Sequence, residues 1–398
     1  MLNIEESSAT PNQFALFALA FRPFFIGAGI FAVLSVLLWM AIYVFNWQHE
    51  FAGVSPQNWH AHEMIYGFAM AVIAGFLLTA IKNWTGIQTL HGWGLAFMFS
   101  LWVIARVLFM IGTVPISVVA GADLLFMLLL IIFSMIPILK VRQWINFAIV
   151  TKLLLMTASN VVFYLGAMGI VEDGIRIGLY SGLYLIVALI FTMGRRVIPF
   201  FIERGVDETV ELTNRRWVDL SSLALFLLFW IFEIMEPNGF VVAILSIALF
   251  VLHSLRLAGW YTPGIWHKPL LWSLYLAYGF LIVGLFLKSA SYFWGLSPFF
   301  SAHAFAYGGI GLMTIGMMSR VALGHTGRDV FSPPPILFWV FAFMFVGAVI
   351  RVFFPMFDNG LYGLWIGISQ VLWVVSFTTF VVIYTPICIK PRIDGRPG

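Results

Sequence analysis

The chain has one cysteine, Cys388, in 398 residues. A single thiol excludes an intramolecular disulfide, an all-cysteine metal site and a cysteine-ligated iron–sulfur cluster. It also excludes the CxxCH attachment of a c-type haem. Charge is scarce: Asp, Glu, Lys and Arg make up 10% of the residues, where a soluble domain is nearer 25%. The net charge of +4 contains no basic run and no basic-aromatic patch, so nothing points to nucleic acid. No phosphate-cradling P-loop and no GxGxxG fingerprint occurs. The start is acidic (Glu5, Glu6) and lacks the short apolar run and small-residue cleavage site of a cleavable leader.

Apolar residues fill the space: 62% of the chain is hydrophobic, with mean hydropathy +1.00. This is the composition of an all-α, polytopic membrane protein with the lipid bilayer as its principal partner. A bilayer core takes about 20 apolar residues per helix. Twelve such segments are expected, at 22–45, 59–81, 91–112, 116–139, 144–169, 173–201, 216–235, 238–258, 268–290, 299–323, 333–355 and 360–387. Together they make a single transmembrane domain spanning 1–398. The breaks use ordinary punctuation: Pro56, Gly86, Pro115, Gly174, Pro237-Asn238-Gly239, Pro263-Gly264, Pro298, Pro333-Pro334-Pro335 and Asn359-Gly360. The connector at 202–215 is the longest and carries dense mixed charge.

Orientation follows from the positive-inside rule. Of the 21 Lys and Arg residues, Arg106, Arg176, Lys288 and Arg351 fall on one face. Lys152 lies too deep in its helix to count, and the other 16 fall on the opposite face. Both termini are therefore expected in the cytoplasm, with the His60/His62 end of the second span facing outward.

That end carries Trp59-His60-Ala61-His62-Glu63-Met64, two imidazoles and a carboxylate at the mouth of an apolar helix. Ionisable groups inside a membrane mark functional sites, and imidazole is a common metal ligand. Part of the pattern recurs. Ala61-His62-x3-Tyr66-Gly67-x7-Gly75 returns as Ala302-His303-x3-Tyr307-Gly308-x7-Gly316. Both spans start on the outer face, which puts His62 and His303 at similar depth, roughly 5 Å below the boundary.

His62 shares a helical face with Tyr66, and His303 with Tyr307. Gly67 and Gly308 would let a flat macrocycle or a neighbouring helix approach the backbone. Helix packing around hydrogen-bonded histidines is the bland alternative. Two axial histidines at one depth suit a haem iron, b-type rather than c-type. Among the outer-face charges, Arg106 and Arg176 are candidates to hold haem propionates, while Arg106 and Asp123 are also expected to pair. His60 and His62 point in nearly opposite directions. His60 with Glu63 is a candidate for a second metal, copper, with Met64 nearby. On the inner face, Arg195, Arg196, Arg320 and His325 are a candidate anion or second ligand site. The bland alternative there is positive-inside charge. His49, His91, His253 and His267 are expected to be interfacial.

Several segments in the same order resemble the NnrS family of bacterial inner-membrane proteins. They are Phe21-Arg22-Pro23-Phe24-Phe25, the Trp59–Met64 segment, Ala74-Gly75-Phe76-Leu77-Leu78-Thr79-Ala80, Asn83-Trp84-Thr85-Gly86, Gly194-Arg195-Arg196-Val197-Ile198-Pro199 and Ser319-Arg320-Val321-Ala322-Leu323-Gly324-His325-Thr326-Gly327. The resemblance implies a haem- and copper-containing protein, iron being the haem metal, linked to nitric oxide response and nitrosative-stress resistance. Nitric oxide is then the expected small-molecule ligand, with a redox donor of unknown identity. Expected chemistry is NO binding, electron transfer or NO turnover. Helices 6 and 7 lack the histidines of an oxidase-type copper centre, so an enzymatic role stays open. The competing class is a twelve-helix secondary transporter of a small solute or anion.

Overall fold

A computed structural model of the chain describes residues 14–358 and 360–396. Asn359 of the expected Asn359-Gly360 break lies outside the described residues, as do Glu5 and Glu6. Among the described residues there is no strand. Phe51 and Val54 form an isolated antiparallel bridge.

The helices, in chain order, are α1 (Phe21–Tyr43), α2 (Pro56–Thr85), α3 (Gly92–Met110), α4 (Ile116–Lys140), α5 (Phe147–Ala167), α6 (Gly174–Gly205), α7 (Arg216–Met235), α8 (Phe240–Ala258), α9 (Pro269–Phe293), α10, α11 (Ile336–Phe357) and α12 (Tyr362–Ile389). Helix α10 runs through three consecutive stretches, Pro298–His303, Ala304–Gly311 and Leu312–His325. Among the described residues, eleven helices are long and apolar enough to cross a membrane, all except α10. The expected tenth span is thus present as helix but is not one of the eleven.

Two expected boundaries shift for a clear reason. Pro56 and Pro298 begin helices rather than break them. Ser55 Oγ accepts from the Asn58 amide at 3.4 Å, and Ser297 Oγ accepts from the Phe299 amide at 3.4 Å. Proline in the first turn gives up a donor that had no helical partner anyway. The helices expected at 59 and 299 therefore start earlier, and His62 and His303 sit in the second turn. At the other end of α2, Gly86 ends the helix in the left-handed region at φ +69°, its amide donating to Lys82 O.

Many exposed side chains on the helices are large and apolar. On α4, Leu125, Leu128 and Ile136 face outward while Phe126, Leu130 and Ser134 are buried. That pattern suits hydrocarbon outside and a packed interior within.

The chain packs as two compact units. The first comprises the chain up to Leu179, Met318–Pro333 and the stretch from Phe377; the second comprises Tyr180–Met317 and Pro334–Ser376. In the first, α1 packs on α2, α3 on α4, and α4 on both α5 and α2. In the second, α8 packs on α7 and α9, and α9 and α11 pack on the middle of α10.

Candidate functional site

Each of the two matched motifs widens into a π-helix at the residue after its histidine. Glu63–Ala69 follows His62, and Ala304–Gly311 follows His303. π-Helical turns are rare and concentrate at functional sites. The motif tyrosines have matching roles within their own units. Tyr66 donates its hydroxyl to Gly178 O at 2.6 Å, and Tyr307 donates to Ser369 O at 2.7 Å. The motif glycines face side chains of this chain. A Cβ on Gly67 would lie 2.7 Å from Arg106 Nη1 and 2.8 Å from the Phe31 ring, and one on Gly308 would strike the Phe280 ring.

His62, in the first unit, is fully buried with Glu63 and Asp123, and Arg106 is 3% exposed. Phe163, Tyr66, Phe109 and Tyr164 surround the imidazole at 4.4–5.3 Å between ring centres. Arg106 on α3 pairs with Asp123 on α4, as expected, and its Nη1 also lies 3.3 Å from Glu63 Oε1. From α5, Asn160 Nδ2 donates to Asp123 Oδ2 at 2.8 Å, and Tyr164 donates its hydroxyl to the same oxygen at 3.0 Å.

This arrangement places a proton on His62. Asn160 gives its NH2 to Asp123, so its Oδ1 is the atom that faces His62 Nε2, at 2.9 Å. An amide oxygen only accepts, so Nε2 carries a proton. His62 Nδ1 lies 3.0 Å from Glu63 Oε1. Both imidazole nitrogens thus face side chains of the cluster.

His303, in the second unit, differs. Its Nδ1 lies 2.7 Å from Phe299 O, one helical turn back, so Nδ1–H donates to that carbonyl. Nε2 is then the basic nitrogen, and it accepts from Arg351 Nη2 at 2.8 Å. The ring is half-buried.

The other expected site residues spread out. His60 stacks on Trp39 with ring centres 4.7 Å apart and planes 7° from parallel. Glu63 turns instead to His62 and Arg106. Met64 Sδ accepts from Ser35 Oγ at 3.5 Å. Among the described residues no group of three or more His, Cys, Asp and Glu side chains is arranged to hold a metal ion. Arg176 pairs with Asp173 one turn away at 3.1 Å. Arg195 and Arg196 belong to the second unit, Arg320 and His325 to the first. Arg195 bonds Asp219 at 2.7 Å.

Two features escaped the sequence. Asn160 and Tyr164 complete the His62 cluster; a lone Asn inside an apolar helix was the available signal. His253, expected to be interfacial, is fully buried. It stacks on Phe191 with ring centres 3.7 Å apart, and its Nδ1 lies 2.6 Å from the Tyr278 hydroxyl. One turn from the end of α8, it packs inward rather than toward the headgroups.

A family model described as NnrS protein matches residues 15–392, nearly the whole chain. Comparison with curated proteins finds no match.

Proposed function

Because the chain belongs to the NnrS family, we propose that this multi-pass membrane protein of the nitric oxide response binds nitric oxide at a b-type haem held by one histidine, His303. The supporting observation is the tautomer of His303. An iron-ligating imidazole uses one nitrogen lone pair and usually donates its other N–H to a carbonyl or carboxylate. His303 has that arrangement, with Nδ1 2.7 Å from Phe299 O and a basic Nε2. Arg351 holds Nε2 at 2.8 Å. Once displaced, its guanidinium would suit a haem propionate. His62 does not fit an axial role in this arrangement, because both its nitrogens are committed to Asn160 and Glu63. The expected axial pair therefore narrows to one residue. A haem with one protein ligand supplies an iron with an open position for a diatomic gas. Copper is not part of this reading. The bacterial inner membrane is the location it implies.

The test is the visible spectrum of the purified full-length protein supplied with haem. The parent should show a Soret band that shifts when nitric oxide is added to the ferrous form. His303→Ala should lose the band, and His62→Gln should keep it. Absence of a Soret band in the parent overturns the haem reading. A band that survives in His303→Ala overturns the ligand.

A further inference from the structure

The first unit ends, on the face expected in the cytoplasm, in a group of cations around His325. Arg22 is fully buried; its Nη1 donates to Cys388 O and Lys390 O, both at 2.7 Å, and so holds the end of α12. Arg392 is also occupied. Its Nη1 donates to His325 O at 3.0 Å, and its Nε and Nη2 bond the Asp394 carboxylate at 2.9 and 2.5 Å. The Ile393 amide donates to Thr326 O at 3.2 Å, which ties the C-terminal segment to the turn after α10. A Cβ on Gly327, at φ +76°, would lie 2.9 Å from the Asp394 carboxyl carbon.

Two cations in this group remain to be answered. Among the described residues, Lys82 and Arg328 have no carboxylate partner. One terminal nitrogen of Arg328 is buried and donates to no acceptor. The neighbouring Asp329 forms no ion pair with Arg328, and its Oδ1 accepts from the Phe331 amide at 2.8 Å. His325 adds no charge. Asn83 Nδ2 faces its Nε2 at 3.4 Å. It lies past the expected span 299–323, and burial, with the charges of Arg392, Lys82 and Arg22, holds it down at about 4. Four cations (Arg22, Lys82, Arg328, Arg392) thus gather against two carboxylates, Asp394 and Asp329.

We propose that this group is an oxyanion site, which takes a phosphate-type group at the Arg328 guanidinium, with Lys82 adding to the positive charge around His325. Positive-inside sorting explains cations in the headgroup layer. It does not explain a buried guanidinium nitrogen without an acceptor. A phosphate-type anion supplies both the missing acceptor and the missing charge, and the planar Arg fork suits it. Two sources carry that chemistry, a free oxyanion in the cytoplasm and the headgroup of an anionic lipid in the inner leaflet.

The experiment uses the full-length protein and measures its melting temperature in two pairs of conditions. The first pair is inorganic phosphate against chloride at equal ionic strength, in neutral detergent. The second is phosphatidylglycerol against phosphatidylcholine nanodiscs. The variants are Lys82→Gln combined with Arg328→Gln, and Lys140→Gln as a control at another inner helix end. A ligand that binds only the folded form raises the melting temperature. A rise with phosphate over chloride identifies the free anion; a rise with phosphatidylglycerol alone identifies the lipid. In either case the double variant should lose at least half of the rise and Lys140→Gln should keep it. The proposal falls if neither phosphate-bearing condition exceeds its control, or if the double variant keeps the full rise.

Discussion

Arg106 and Asp123 form a direct ion pair with almost no solvent exposure. They come from adjacent antiparallel helices, α3 and α4. Arg106 also reaches Glu63 at 3.3 Å, and Asp123 takes hydrogen bonds from Asn160 and Tyr164. The pair is therefore the centre of the network that fixes His62.

Removing one member takes the main charge partner from the other, leaving Arg106 only Glu63 or Asp123 only its neutral donors Asn160 and Tyr164. Breaking a buried pair from one side typically costs about 3–5 kcal/mol, whereas removing both partners costs less than the sum. Arg106→Ala and Asp123→Ala should each lower the unfolding midpoint sharply. The double variant should be more stable than additivity allows, with a coupling of about 1–3 kcal/mol. Equilibrium unfolding of all four proteins in detergent measures it. Additive single effects would show that the contact carries no coupling.

The glycines after the motif tyrosines offer a second measurement. Gly308→Ala would force a methyl into the Phe280 ring, and Gly67→Ala into Arg106 and Phe31. Overpacking of this kind costs about 1–3 kcal/mol. At Gly363, on α12, an added methyl would meet nothing within 4 Å. There, alanine should be neutral or stabilise by up to about 1 kcal/mol through helix propensity. Equal effects at all three positions would mean that close packing does not explain the motif glycines.

The helices and the paired histidine motifs were legible because hydropathy and residue spacing carry them directly. Arg106–Asp123 was legible for the same reason, since two charges at one depth in adjacent hairpin helices have little else to do. The partners of His62 were not. Asn160 is 98 residues away, and only packing of α5 against α4 brings it to the ring. The π-helical turns were also hidden, because Glu63–Ala69 and Ala304–Gly311 share no residue pattern that separates a π turn from an α turn. His253 was misplaced because distance from a helix end does not say which way a ring faces.

Orientation is the third prediction. From the count of 16 cations against four, both termini are expected in the cytoplasm. A phosphatase reporter that is active only outside the cytoplasm, fused after Gly398, should be silent. The same reporter placed after Gly295, in the loop before α10, should be active. The reverse pattern would put His62 and His303 at the inner face.

The last prediction concerns Asn160, which serves two partners at once. Asn160→Leu removes the acceptor facing His62 Nε2 and the donor to Asp123 Oδ2. A stranded buried polar group costs about 1–3 kcal/mol; this substitution strands His62 Nε2 and takes one donor from Asp123, which keeps Tyr164 and Arg106. Tyr164→Phe removes a single donor to Asp123, a net loss of about 0.5–1.5 kcal/mol. Asn160→Leu should therefore be clearly the less stable variant by thermal or denaturant unfolding. Its spectrum separates this role from metal ligation. If His62 serves the charge network and not an iron, Asn160→Leu keeps the parent Soret position despite its lower stability. A shifted band would mean that the nitrogen facing Asn160 is bound to iron in the haem-loaded protein, and that the His62 cluster rearranges to release it.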